Sequence, residues 1–150
     1  MRWYADICLH LTIFMPKPRA IQMEDIKDLA DIRIFVDAFY DKVKRDPQIG
    51  PVFFAAIGNN WQPHLNRLYA FWDSVLFSSP GFRGNPFAKH IGLPITQVHF
   101  DKWLLLFSQT IDAHFAGPTA QEAKNRAELI AKVFVSRLEF MRAKQADHIG

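Results

Sequence analysis

Apolar residues recur at spacings of three and four along most of the chain, and nowhere sustain a spacing of two. From Asp25 to Arg45, Ile26, Leu29, Ile32, Val36, Phe39 and Val43 fall on one face of a helix. Asp46 and Pro47 stop it, because the residue before a proline is pushed out of the α region. The segment "IGPVF" then turns the chain and "IGNN" turns it again. Asn60 is placed to cap a helix whose first turn admits Pro63. That helix carries Leu65, Leu68, Trp72, Val75 and Leu76 on one side. The run "SSPGFRGNP" is punctuation, followed by a short element around Ala88–Ile91. Pro94 and Thr96 open the next helix, with Phe100, Trp103, Leu104, Phe107 and Ile111 aligned, and "AGP" ends it near Gly117. Thr119 and Glu122 read as a capping box for a last helix reaching about Ala143. Its aligned residues are Ala123, Ala127, Ile130, Phe134, Leu138 and Met141. With no alternating strand and no repeat, the pattern predicts an all-α domain of about four long helices.

Composition narrows this picture. The chain has 150 residues, enough for one domain with a real core, and 49% of them are hydrophobic. Aromatics make up 14%, which fits a plain aromatic core or the enclosure of something flat. The net charge is +3, with Lys and Arg scattered and no basic stripe, so no nucleic-acid partner is expected. No stretch is long enough to span a membrane, and no membrane partner is expected. One cysteine, Cys8, forms no internal disulfide and no C-x-x-C. That excludes zinc ribbons, thioredoxin-type sites and haem attached through C-x-x-C-H, and it fits a reducing cytoplasm. Residues 1–22, interrupted by Asp6 and His10 and closed by "MPKP", read as a loosely ordered N-terminal extension before a domain at 23–150.

Chemistry has few places to reside. There is no H-E-x-x-H, no Glu-x-x-His pair, no phosphate-binding glycine loop and no G-x-S-x-G. Two histidines remain of interest. His64 lies one turn into a helix, and His90 follows on a short element pinned by Pro86, Gly92 and Pro94. Such a pair can flank a slot that holds a flat iron macrocycle. A histidine in a helical protein is more often a surface or hydrogen-bonded residue, and both readings stand at this point.

The order of the motifs adds to this. "FYDKVKRDPQIGPVFFAAIG", then W-x-x-H at Trp61–His64, "FWDSVL", "GNPFAKHIGLPIT" and "HFDKWLLLF" together resemble the group III truncated haemoglobins, from about Asp25 to Phe140. The resemblance implies a two-over-two helical sandwich around one haem. It makes His90 the proximal iron ligand, Tyr40 and Trp103 the distal hydrogen-bond donors, and His64 a distal gate. Phe53 would pack on the haem, with Leu68, Trp72 and Phe107 lining the pocket and Arg67 within reach of a propionate. The role of His99 does not follow. The implied cofactor is non-covalent haem b. The implied partners are oxygen, nitric oxide and carbon monoxide, with an unidentified external reductase, since no flavin or nicotinamide motif is present. The implied function is oxygen binding at a polar distal pocket, serving nitric-oxide dioxygenase or peroxidase-like chemistry rather than bulk transport. A gas sensor or store, and a cofactor-free helical interaction protein, are the competing readings.

Overall fold

The computed structural model describes residues 22–148, so the expectations for the N-terminal segment, including Cys8 and His10, lie outside the described residues. The described chain is helical: α1 Leu29–Arg45, α2 Gly50–Ile57, α3 Trp61–Phe77, a 3-10 turn Phe87–His90, α4 Gln97–His114 and α5 Pro118–Asp147. Asp28 begins α1 by accepting the N–H groups of Ala30 and Asp31, at 2.8 and 3.2 Å. Asp46 ends it, and its carboxylate accepts from Gln48 and Ile49 at 2.9 and 3.0 Å. That turn aims α2 back across α1. A β-carbon on Gly50 would sit 2.9 Å from the Val43 carbonyl, so only glycine permits the close approach.

The main packing pairs are α4 with α5 and α1 with both α3 and α4. The predicted apolar faces meet inside. Ile32, Phe35, Val36, Phe39 and Val43 of α1 are buried against Trp72 of α3 and Phe107 and Ile111 of α4. Each such side chain removed from water contributes about 1.5–3 kcal/mol. A second apolar cluster joins Phe87 and Ile95 to Phe100 of α4 and to Ala131, Val135 and Leu138 of α5. The cavity described below lies between these two clusters, walled by members of both.

Two local expectations are corrected. "IGPVF" is not merely a turn: Gly50–Ile57 is a helix with its proline in the first turn. The expected Thr119–Glu122 capping box does not form. The N–H groups of Thr119 and Ala120 are taken by Asp25 at 2.9 and 2.8 Å, from 94 and 95 residues away. Glu122 pairs instead with Arg126. The chain passes so close there that a β-carbon on Gly117, whose φ is +148°, would lie 2.5 Å from the Asp25 carboxyl carbon.

Candidate functional site

A cavity of about 440 Å³ opens between α1, α2, α3, the segment 82–95, α4 and α5. That size suits a cofactor-sized guest. Its wall is mostly apolar and aromatic. Of the residues singled out from sequence, Tyr40, Phe53, His64, Arg67, Leu68, Trp72, His90 and Trp103 all line it. Phe107 does not reach the wall. It lies one layer behind, stacked on Trp72 at 4.9 Å and on Trp103 at 5.4 Å, and so holds both indoles in place.

His90 closes the 3-10 turn. Asn85 starts that turn by accepting from the N–H groups of Phe87 and Ala88, at 3.1 and 3.3 Å. Phe87 anchors it, buried against Phe134 of α5 at 5.3 Å with the Arg137 guanidinium 4.1 Å above its ring. The His90 Nδ1 lies 2.9 Å from the Pro86 carbonyl oxygen. A carbonyl only accepts, so Nδ1 carries the proton and Nε2 keeps its lone pair. Burial lowers the pKa of this ring, against the opposing effect of the Pro86 bond. His90 is therefore held neutral with one nitrogen ready to coordinate, and its ring is braced 4.9 Å from Phe134.

Tyr40, Trp103 and His64 bring the polar groups of the other helices. The Tyr40 ring packs edge-on against Phe39, His64, Phe53 and Trp61, at centroid distances of 4.9, 5.2, 5.7 and 6.3 Å. Burial drives its hydroxyl pKa up, and the nearby Trp103 indole offsets only part of this. The hydroxyl thus stays protonated and available as a donor. His64 is pushed down to about 4, first by burial and then by the nearby charge of Arg67. Its Nε2 is buried and has no hydrogen-bond partner among the described residues. A partnerless polar atom in an interior costs about 1–3 kcal/mol, which points to a guest or a movement that would satisfy it.

The cavity also carries groups that sequence reasoning passed over. Arg83 and Lys89 line it beside Arg67, and none of the three makes an ion pair with a described residue. Among the described residues no Asp or Glu lines the cavity. An apolar slot rimmed by unpaired cations suits a flat, largely apolar guest with acidic substituents. Among the described residues no three His, Cys, Asp or Glu side chains gather as a metal site. A metal here would rest on His90 and take its remaining ligands from the guest, which is how a porphyrin carries iron. The residues present fit the macrocycle that the resemblance implies. Isolated loop cations such as Arg83 have no periodicity, so no pattern in the sequence could have singled them out.

Comparison with known proteins agrees with this geometry. The profile of the bacterial-like globin family matches residues 23–136. The chain is 32% identical over 126 residues to the group 3 truncated hemoglobin ctb of Campylobacter jejuni, covering 81% of this chain and 94% of that protein. The crystal structure of the group III truncated hemoglobin from Campylobacter jejuni superposes with a TM-score of 0.72 at 30% identity. That likeness covers 79% of this chain and 95% of the other.

Proposed function

The chain belongs to the bacterial-like globin family, and from that premise we propose that it is a haem protein that binds diatomic gases and acts on them, with oxygen as the principal ligand. The globin unit would occupy residues 23–150. The observation that carries the reading is the His90 imidazole, whose Nδ1 is committed to the Pro86 carbonyl at 2.9 Å and whose Nε2 is left to coordinate.

Non-covalent haem b, when bound, supplies an iron with one position for a gas and the means to exchange an electron. The chain's own residues set what happens around it. His90 would hold the iron. Phe53, Leu68 and Trp72 would pack on the macrocycle, while Arg67, Arg83 and Lys89 would neutralise its acidic edge. Tyr40 offers a hydroxyl that burial keeps protonated, and Trp103 an indole N–H. Both can donate to a polar diatomic guest in a dry cavity, where such bonds are stronger than in water. His64, neutral at pH 7 and lacking a partner, is suited to swing between the cavity and the outside as a gate.

Two donors favour retention of the gas over its release. That supports chemistry on the held ligand, nitric-oxide dioxygenation or peroxide turnover, over bulk transport. Electrons would come from an external reductase in a cytoplasmic setting. The deciding experiment is a set of optical spectra of the purified protein in the ferric, ferrous, ferrous carbon monoxide and ferrous oxygen forms. A Soret band that responds to each gas is expected. A colourless protein that takes up no added haem refutes the proposal.

A further inference from the structure

Two of the histidines that line the cavity are fixed in opposite tautomers by the backbone. His90 gives its Nδ1 proton to the Pro86 carbonyl and keeps a lone pair on Nε2. His99 does the reverse. It occupies the third position of α4 and completes a capping box with Thr96. The Thr96 N–H donates to His99 Nδ1 at 3.1 Å. An amide can only donate, so Nδ1 is the bare nitrogen and the neutral ring carries its proton on Nε2. His99 also lines the cavity, and of its two nitrogens the one not taken by Thr96 is a donor. It joins a rim where Arg67, Arg83 and Lys89 are exposed, and where no ion pair ties them to a described residue and no described Asp or Glu lines the wall.

We propose that His99 is an anion-facing binding residue, its Nε2–H donating to a carboxylate on the edge of the guest. This rests on the haem reading above, haem b being a dicarboxylate. A purely capping role is the rival, and residue type separates the two. Capping boxes ordinarily place Glu or Gln at this position. Glutamate would accept from Thr96 equally well, but would set a negative charge beside the guest's own. Histidine and glutamine each accept with one atom and donate with another.

The test compares wild type, His99→Glu and His99→Gln, all of which keep an acceptor for the Thr96 N–H. Each protein is loaded with protohaem or with its dimethyl ester, which lacks the acidic groups. Loss of haem to an excess of scavenging apoglobin is then timed, and thermal unfolding is recorded in parallel. His99→Glu is expected to lose protohaem about tenfold faster or more, as befits a lost bond to a charged group. His99→Gln should stay within about threefold of wild type, and neither should differ from it by more than about twofold with the ester. Unfolding temperatures should match. If His99→Glu retains protohaem as wild type does, His99 is a cap and nothing more. If it speeds loss of acid and ester alike, the effect lies in the fold and the proposal is overturned. A wild type that takes up neither form removes the haem reading itself, a failure visible before any variant is made.

Discussion

Replacing Tyr40 by phenylalanine tests the distal side with little disturbance. The ring is 5% exposed and held by four neighbouring rings, and phenylalanine keeps every one of those contacts. Only the hydroxyl is lost. With oxygen bound, the missing donor would have faced a partly charged acceptor, a bond worth about 1.5–3 kcal/mol. That converts to oxygen leaving roughly 10- to 150-fold faster. Carbon monoxide, being less polar, should respond far less. Stopped-flow oxygen release beside flash-photolysis rebinding of carbon monoxide separates the two gases. Trp103→Phe should shift oxygen the same way. The double variant should fall short of the product of the singles, because the two groups line one cavity and would face the same ligand. Oxygen release in Tyr40→Phe within about a factor of two of wild type, below ~0.5 kcal/mol, would refute the donor role, whatever else the cavity binds.

Three further outcomes are expected. His90→Gly should lose haem and regain it when imidazole is supplied in the buffer. An unchanged spectrum without imidazole would remove His90 as the ligand. Acidification should cost stability through His64, whose folded pKa of about 4 lies below its ordinary 6.5. Between those values the unfolded chain takes up a proton that the folded one refuses. The contribution is therefore whole above pH 6.5 and lost as pH falls toward 4. Its upper bound is about 3 kcal/mol, or about 2 after screening of a partly exposed ring. Denaturant titrations at pH 7 and 4.5 should show that slope in wild type and a flatter one in His64→Leu, and parallel slopes would contradict it. Asp25→Ala should lower stability by about 1–2 kcal/mol with no change in the haem spectrum, because it removes a cap remote from the cavity. Calorimetry and an optical scan of one sample suffice, and an altered Soret band would show that the cap reaches the cavity.

The four long helices were legible because each buries one face and leaves its neighbour side wet, so periodicity survives in the sequence. Helix α2 was not. "GPVFFAAI" is apolar at nearly every position and opens on Gly-Pro, so a turn and a helix look alike until α1 is there to pack against. The Thr119–Glu122 box misled because capping is judged locally, while the groups it would satisfy are taken by Asp25 from far along the chain. The box at Thr96 and His99 escaped notice for the opposite reason: histidine is not the residue expected there. At the site, ordered anchors such as "W-x-x-H" and "GNPFAKH" carried Tyr40, His64, His90 and Trp103 to one cavity. Phe107 shares the α4 face with Trp103, and spacing alone could not say which ring reaches the wall and which supports it.

The bond between Asp25 and the start of α5 also bears on the order in which the molecule assembles. The longest helix has no side-chain cap from its own neighbourhood, so its first turn is finished by a residue 94 positions earlier in the chain. Joining ends so separated costs about 4 kcal/mol of chain entropy, more than one cap returns. The link can close only after the helices between have collapsed, which places it among the last contacts made and the first released. On a growing chain Asp25 emerges early and waits for a helix not yet synthesised. Trimming the polypeptide past residue 25 should then fray the beginning of α5 rather than the segment that was cut. The effect would surface as fast amide exchange at Thr119 and Ala120, at the opposite end of the sequence from the change.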